Sequence, residues 1–399
     1  MSSNKKFLLL ILDAFSDKYL KFAPYLSKLC REHYCSALKP MFAYEGIRTA
    51  ILTGLDVQEN GIWHDKIFIP NGRRGVKVKI LKYLTVLIDM VSITDYTNKA
   101  LRFLLYKVFS ENYGTPHLIP AKYLEYFTTY KHENKGIPDL FQVLGDFNIR
   151  STWIEPKLNS LERRVLKNLP HLFSKYSFIV VKLNSLDRLG HKYGPLSNEV
   201  RQRVKYLDTL IEIAMNDLQN KVRDFSFIII SDHGMSPVER SVNLEQLLEK
   251  EERVKPIKDY IPYIGSTFAA FYIINKSAKE ALHELLNDIR DYGKVLSDDE
   301  MKAHGINQDL YGHLIFALNE GVVFFPSFFQ RRELPKGMHG YLHSSYDNAI
   351  FISSLTTECK NTIQRSLKFS DIFNYIVNFW NIKSSFMEGY ETYEDDNLP

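Results

Sequence analysis

Short, continuous apolar runs recur along the chain and predict strands that are buried on both faces. Phe7–Leu12, Phe178–Leu183 and Phe225–Ile230 are runs of this kind. A strand with one face in water would alternate apolar and polar residues, so continuous runs favour a parallel sheet covered by helices on both sides. Between the second and third runs, residues 197–218 have apolar positions at helical spacing. This order predicts an α/β fold built on a doubly wound, mostly parallel sheet with helices on both faces.

Two long stretches break this alternation and divide the chain. Residues 73–135 carry apolar positions at helical spacing among many basic residues, and residues 255–337 mix short strand and helix patterns. The expected organisation is a catalytic core at 1–72, 136–254 and 338–385, a helical insertion or lid at 73–135, a small α+β subdomain at 255–337 and an acidic tail at 386–399. In the subdomain, Gly312–Leu318 and Gly321–Phe325 predict a pair of strands around the turn at 319–321.

The basic, apolar pattern of residues 76–110 has two interpretations. The first is a helical hairpin that packs over the sheet with its lysines in water. The second is a lid, or an interfacial element that contacts anionic lipid or substrate. The second interpretation predicts a peripheral membrane contact through 76–110.

Composition narrows the class of protein. The net charge of +4 is small and the basic residues are dispersed, so nucleic acid is not expected as the main partner. Three cysteines are too few and too irregularly spaced for a disulfide framework or a cysteine zinc site, which favours a reducing compartment. Residues 7–12 are too short for a signal-peptide core, and no segment reaches about 18 uninterrupted apolar residues. A cytoplasmic location is expected, at the membrane surface if 76–110 is interfacial, while nothing indicates the oligomeric state.

Carboxylate and imidazole side chains follow several of the predicted strands. They are Asp13, Asp187, His191, Asp232, His233 and His339. Each alone has an ordinary explanation, such as a helix cap or a loop histidine. Together, at the carboxyl ends of parallel strands, they can bind two adjacent divalent cations, and these ligand types suit Zn, Mn or Fe. Because two cations can clamp the attacking and leaving oxygens of a displacement at phosphorus, the set predicts hydrolysis or transfer of a phosphoryl group.

Several short motifs, in this order along the chain, carry a resemblance to a known family. They are Leu8-Leu-Leu-Ile-Leu-Asp13, Leu52-Thr-Gly54 with Asn60-Gly-Ile62, Asp187-Arg-Leu-Gly-His-Lys-Tyr-Gly-Pro195, Ser231-Asp-His-Gly-Met235 and Met338-His-Gly-Tyr341. Together they resemble the type I phosphodiesterase/nucleotide pyrophosphatase branch of the alkaline phosphatase superfamily. The third and fourth motifs are the specific ones, and the resemblance covers nearly the whole chain except 73–135.

The resemblance implies an alkaline-phosphatase-like α/β fold with two metal ions, usually zinc. By position in the motifs, Asp187, His191 and His339 would bind one metal. The other would be bound by Asp13, Asp232 and His233. In the family, a Thr or Ser hydroxyl also touches this second metal and attacks phosphorus, and water then hydrolyses the covalent product.

The loop that supplies this hydroxyl departs from the family pattern. Members of the family carry the hydroxyl residue about ten positions before the glycine that matches Gly54, followed by an asparagine that helps to bind the transferred group. This chain has Tyr44 at the hydroxyl position and Ile47 where the asparagine belongs. The residues at both positions therefore depart from the family pattern, and the loop is about two residues shorter than in the family.

The sequence leaves three candidates for the attacking group, and one residue that could take the role of the missing asparagine. Tyr44 could attack as a phenolate, because a nearby cation lowers the pKa of a phenol. Glu45 could instead bind a metal while water attacks directly, and Thr49 is a third candidate, although it is expected within the following helix. Arg48 could stabilise phosphoryl oxygens in place of the asparagine.

The favoured function is a two-metal phosphohydrolase that cleaves a phosphodiester or pyrophosphate bond in a nucleotide-, lipid- or sugar-linked substrate. The alternatives are a phosphotransferase or phosphomonoesterase on the same scaffold, and a non-catalytic, metal-dependent binder of a phosphorylated ligand. The expected partner is a phosphorylated small molecule or a lipid-linked substrate.

Overall fold

The computed structural model describes residues 5–109, 118–130, 136–355 and 367–382. The chain forms two compact units. Of the described residues, the first comprises 5–56, 136–235, 345–355 and 367–382, and the second comprises 57–109, 118–130 and 236–344. Residues 57–72, 236–254 and 338–344, which were expected in the catalytic core, belong to the second unit. The expected acidic tail, 386–399, lies outside the described residues.

The strands and helices are numbered in chain order. The strands are β1 (Lys6–Leu12), β2 (Tyr34–Leu38), β3 (Lys66–Phe68), β4 (Phe127–Thr129), β5 (Ser151–Ile154), β6 (Phe178–Leu183), β7 (Phe225–Ile230), β8 (Ser236–Pro237), β9 (Arg240–Val242), β10 (Tyr260–Ile264), β11 (Phe268–Ile273), β12 (Gly293–Val295), β13 (Leu314–Leu318), β14 (Val322–Phe324), β15 (Gly337–Met338) and β16 (Ala349–Ser353). The helices are α1 (Pro24–Glu32), α2 (Gly46–Thr53), α3 (Val57–Asn60), α4 (Val76–Val91), α5 (Asp95–Val108), α6 (Leu140–Asp146), α7 (Asn159–Lys167), α8 (Leu169–Lys175), α9 (Ser185–Tyr193), α10 (Asn198–Lys221), α11 (Leu244–Lys250), α12 (Lys276–Asn287), α13 (Asp298–Ala303), α14 (Gln308–Tyr311) and α15 (Asp371–Phe379).

The first unit is built on a six-stranded sheet in the order β2-β16-β7-β1-β6-β5. Strands β7, β1, β6 and β5 are parallel to one another, whereas β16 is antiparallel to both β7 and β2. The three apolar runs form the central strands β7, β1 and β6, within one residue of the predicted bounds. The predicted α/β fold with a mostly parallel sheet is therefore confirmed.

Both faces of this sheet are covered, which explains why its strands are apolar throughout. Leu8, Leu10 and Leu12 of β1 belong to one buried cluster, which also contains side chains of α1 and α10. The intervening Leu9 and Ile11 belong to a second cluster with side chains of α2, α6 and α15. Because successive side chains of a strand point to opposite faces, one continuous apolar run supplies both cores.

The second unit contains a four-stranded antiparallel sheet in the order β10-β11-β13-β12 and the helical pair α4 and α5. The predicted strand pair of the subdomain is wrong in its pairing. Strand β13 lies between β11 and β12, while β14 runs parallel to β9. The segment between β13 and β14 therefore connects two sheets. The sequence pattern identified both strands, but it did not show that β14 pairs with the distant β9.

One covalent feature was not predicted from the cysteine spacing. A disulfide joins Cys30 and Cys35, while Cys359 lies outside the described residues. Disulfides persist mainly in oxidising compartments, so this pair weakens the cysteine argument for a reducing one. The cytoplasmic location stays a prediction. Among the residues with described positions, no helix has the length and apolarity that crossing a bilayer requires.

Candidate metal centre

The register of the central strands brings two aspartates to the same edge of the first unit's sheet. Ile11 is paired with Ile230, and the amide of Asp13 donates to the carbonyl of Leu183 at 3.0 Å. Asp13 is thus the first residue after β1, and Asp232 is the second after β7. The carboxyl ends of parallel strands are the usual place for a ligand in such a sheet.

His233 completes a buried cluster with these two aspartates. Candidate ligand atoms of Asp13, Asp232 and His233 all lie within 4.8 Å of one another. The Nε2 atom of His233 is 3.3 Å from Asp13 Oδ1, and its Nδ1 atom is 2.8 Å from the carbonyl oxygen of Gly234. When Nδ1 donates to that carbonyl, Nε2 is the atom that can bind a metal. Two carboxylates and one imidazole suit zinc or manganese.

Lys182 of β6 links the two carboxylates. Its Nζ atom donates to Asp232 Oδ2 at 2.7 Å and lies 3.1 Å from Asp13 Oδ2. A lysine within an apolar strand was the available signal in the sequence, but the sequence analysis did not select it. The ammonium group holds the two aspartates close together in the arrangement that a divalent cation would need.

The electrostatics of the cluster favour binding of a cation. Burial, together with the neighbouring Asp232, raises the pKa of Asp13. Burial would also raise the pKa of Asp232, but Lys182 and His233 outweigh burial and lower it to about 2. Burial opposes a charge on His233, yet Asp232 and Asp13 raise its pKa to about 10. The aspartates thus attract positive charge strongly, and a divalent cation would replace the imidazole proton.

Two further expected ligands lie one turn apart on α9. Asp187 Oδ1 is 3.2 Å from His191 Nε2, and the charge of Asp187 raises the pKa of both Asp13 and His233. A Cβ atom on Gly190 would lie 2.4 Å from the sulfur of Met235, so a larger residue there would require the Met235 side chain to shift. The structure therefore gathers five of the six expected ligands in the first unit.

The sixth expected ligand, His339, belongs to the second unit. It follows β15 directly and is 4% exposed, and the next residue, Gly340, has a φ of 83°. This left-handed conformation is one that glycine adopts readily. The expected grouping of His339 with Asp187 and His191 stays a prediction.

The loop before α2 is held in an unusual conformation. Ala43 and Tyr44 both have positive φ angles, 64° and 52°. Such a conformation costs a residue other than glycine about 1–2 kcal/mol, so it persists only where the surroundings impose it, often at functional sites. The ring of Tyr44 lies edge-on to the ring of His233, with 5.4 Å between centroids. The loop therefore brings Tyr44 to the metal-ligand cluster.

The other residues of this loop are placed differently. Glu45 directly precedes α2 and is half-buried. Thr49 lies inside α2, as expected, and is buried. Arg48 is exposed, and its guanidinium group lies 4.5 Å from the centre of the Trp153 ring on β5. The proposed roles of Glu45, Arg48 and Thr49 stay predictions.

Sheet topology, strand-end carboxylates and buried imidazoles together are typical of a metal-dependent hydrolase of the α/β class. The chain belongs to the type I phosphodiesterase/nucleotide pyrophosphatase family, whose model matches residues 7–342. The family is named for phosphodiesterase and nucleotide pyrophosphatase activities and depends on divalent metals.

Curated relatives agree with this assignment. Ectonucleotide pyrophosphatase/phosphodiesterase family member 1 of Mus musculus is 28% identical over 247 residues, which are 57% of this chain. The Homo sapiens protein of the same name is 37% identical over 68 residues, 16% of this chain and 7% of its own length. The chain spans only 24% of the length of the mouse relative.

Solved structures share the fold. Murine ectonucleotide pyrophosphatase/phosphodiesterase 5 matches with a TM-score of 0.65 and 15% identity, covering 95% of this chain and 96% of the other. An inactive form of that murine protein, solved in complex with AMP, matches with a TM-score of 0.64 and 14% identity, with the same coverage. At these identities the likeness concerns the alkaline-phosphatase-like fold alone.

Proposed function

We propose that this chain hydrolyses a phosphodiester or pyrophosphate bond in a nucleotide-type substrate, using two divalent cations, zinc in the first instance. The observation that carries the proposal is the buried Asp13, Asp232 and His233 cluster at the carboxyl edge of the parallel sheet. The family name and the AMP complex of the murine relative support a nucleotide as the substrate class.

The donor set of the cluster fits a divalent cation. Asp13, Asp232 and His233 would bind one cation, and Asp187 and His191 would contribute to binding the other. When bound, the cations supply charge stabilisation for the oxygens around phosphorus. Lys182 must leave its position between the carboxylates as a cation enters, and its flexible side chain permits this.

Tyr44 is the attacking group that the geometry favours. Its ring is fixed beside His233 by a strained loop, whereas Thr49 is buried within α2. In this scheme the Tyr44 hydroxyl gives its proton to solvent and its oxygen forms a bond to phosphorus, while the bond from phosphorus to the leaving-group oxygen breaks and that oxygen takes up a proton from solvent. A water oxygen then forms a bond to the same phosphorus, the bond from phosphorus to the Tyr44 oxygen breaks, and a proton of that water returns to Tyr44.

Turnover of a chromogenic phosphodiester, bis(para-nitrophenyl) phosphate, tests the enzyme hypothesis. Protein stripped with a chelator is assayed alone and after addition of zinc or manganese, with the bound metal measured in the same samples. Turnover that returns with the metal is expected. Tight metal binding without turnover of this substrate or of a dinucleoside pyrophosphate would instead identify a non-catalytic binder.

Tyr44→Phe tests the attacking group. This change removes one oxygen and retains the ring that packs on His233, so metal content should be unchanged while kcat falls by about 10³-fold or more. Thr49→Val is the matched control, because it also removes one hydroxyl from the same segment, and it should keep most of the activity. Wild-type kcat in Tyr44→Phe would assign the attack to water, and Glu45→Gln would then be the variant expected to lose activity.

A further inference from the structure

Helix α5 is amphipathic in the reverse sense to an ordinary surface helix. Its buried residues are Asp95, Asn98, Arg102 and Tyr106. Its exposed side chains include Tyr96, Leu101, Phe103, Leu104 and Val108. In a water-soluble helix the apolar stripe normally faces the core. Here the polar stripe packs inward, and the apolar stripe is left on the surface of the described residues.

Specific polar contacts fix this orientation. Asp95 accepts hydrogen bonds from the backbone amides of Arg331 and Arg332, at 2.9 and 3.0 Å. Arg102, which is fully buried, donates to Asp89 at 2.6 Å and to the carbonyl of Ile119 at 2.7 Å. Rotating the helix to bury its leucines would break these bonds and leave buried charges without partners, which is costly. The outward apolar stripe is therefore built into the fold.

Helix α4 presents a second exposed apolar stripe. Its exposed members are Val76, Ile80, Tyr83, Leu87 and Met90, which follow one another at intervals of three or four residues. Val78, Leu81 and Thr85 form its buried face. Residues three and four apart share one side of a helix, so these side chains form a continuous row. We call the exposed rows of α4 and α5 together the hairpin surface.

The charge around the hairpin surface is one-sided. Exposed basic residues border it: Arg74, Lys77, Lys79 and Lys107. The two acidic residues in the segment 73–109 are Asp89 and Asp95, and both are engaged in the inward contacts. A cavity of about 500 Å³ opens beside α4, where Lys122 and Arg332 lie near the apolar Val86 and Met90, and its lining also includes Asp89 and Asp95. Apolar side chains bordered by basic ones are complementary to a partner surface in which an anionic layer covers an apolar interior.

We propose that the hairpin surface lies in the plane of an anionic lipid bilayer, with its leucines and aromatic side chains among the acyl chains and its lysines at the phosphate headgroups. Interfacial helices combine these features: a large apolar face, basic flanks and insufficient length and apolarity to span. A seam between two protein copies would need acidic residues to balance its lysines, whereas the two acidic residues of 73–109, Asp89 and Asp95, are engaged by Arg102 and by the amide of Arg331. The inference goes beyond the proposed hydrolase activity and does not depend on it.

Vesicle binding by the full chain tests this inference. Co-sedimentation is measured with vesicles of phosphatidylcholine alone and of phosphatidylcholine mixed equally with phosphatidylglycerol, at low and at high salt. We expect binding to the anionic vesicles to exceed binding to the neutral ones by about tenfold or more at low salt, and to decline with salt.

Two sets of substitutions separate the apolar and the basic contributions. The triple variant Tyr83→Gln, Leu104→Gln and Val108→Gln removes exposed apolar area only, and it should lower partitioning by about tenfold or more. The triple variant Lys77→Gln, Lys79→Gln and Lys107→Gln should lose the preference for anionic vesicles by a similar factor. Ile213→Gln is the matched control, because Ile213 is an exposed apolar residue of α10 in the first unit.

Each result decides the proposal. Partitioning of the apolar triple variant that equals that of the wild type and of Ile213→Gln would overturn it. The same holds if the chain binds no vesicles but forms a dimer in solution that the apolar variant dissociates, because the hairpin surface would then contact a second copy. A circular dichroism spectrum identical to the wild type shows that each variant is folded.

Discussion

His233 in the first unit and His64 in the second are both almost fully buried, with 2% and 5% of their surface exposed. Their pKa values are nevertheless shifted in opposite directions. Burial lowers the pKa of His64 to about 4. For His233 the two carboxylates Asp232 and Asp13 outweigh burial and raise the pKa to about 10. Burial alone therefore does not identify a metal-ligand histidine.

The hydrogen bonds of the two rings explain the difference. His64 Nδ1 accepts from the amide of Lys66 at 3.0 Å, and its Nε2 atom is 3.2 Å from the hydroxyl of Tyr263. These hydrogen bonds of both nitrogens go to neutral groups, and although the Asp65 carboxylate lies 3.6 Å from Nδ1 and favours the charged ring, burial outweighs it. The Nε2 atom of His233 faces carboxylates instead, which attract a proton or a metal. An excess of negative charge around a buried imidazole is what distinguishes the candidate site.

Asp232→Asn should give the largest effect, because it removes a charge from the cluster and keeps its shape. We expect bound zinc to fall below measurable occupancy in one site and kcat/KM to fall by about 10³-fold or more. Metal analysis after dialysis and phosphodiesterase assays measure both quantities. Asp208→Asn is the matched control, since Asp208 is equally buried in the first unit but accepts hydrogen bonds from the amides of Tyr25 and Leu26. Unchanged metal content in Asp232→Asn would remove Asp232 from the ligand set.

Sequence patterns predicted the main sheet well because its strands are buried on both faces. Continuous apolar runs identified β1, β6 and β7, and residues that follow such strands must lie at one edge of the sheet. Asp13 and Asp232 could therefore be selected without a structure. The backbone conformation of loops, and contacts between residues distant in sequence, could not be predicted in this way. The positive φ angles of the Tyr44 loop, the contacts of Lys182 and the parallel pairing of β14 with β9 all depend on partners remote in sequence.

The neutral state of His64 predicts a loss of stability in acid. Its pKa is lowered on folding, so the unfolded chain binds a proton below about pH 6.5, whereas the folded chain does so only near pH 4. The stability that the neutral His64 ring contributes is complete above the pKa of the unfolded chain and declines as the pH falls from about 6.5 towards 4. Between pH 7.5 and pH 5 we expect this loss to lower the free energy of unfolding by about 2 kcal/mol.

Urea unfolding at these two pH values measures this effect. His64→Gln retains hydrogen-bonding capacity but does not titrate, so the difference between wild type and variant isolates the histidine from other ionisable groups. The variant should lose less stability on acidification than the wild type, by the amount given above. Equal losses in the two proteins would mean that His64 is not held neutral, and the contrast with His233 would fail.

Lys182→Met should give the smallest effect and the most informative one, because two measurements move in opposite directions. The ammonium group lies 2.7 Å from Asp232 and 3.1 Å from Asp13, so an entering cation must displace it. Without that competing charge, zinc should bind about tenfold more tightly, as measured by competition with a chromophoric chelator. The metal-free protein should meanwhile melt at a lower temperature, since the two carboxylates then repel each other without a lysine between them. Lys182→Arg retains the charge and should keep the affinity near that of the wild type. If Lys182 only packs against its neighbours, Lys182→Met will bind zinc no more tightly than the wild type. The cluster would then resemble the environment of His64 more than a site prepared for a cation.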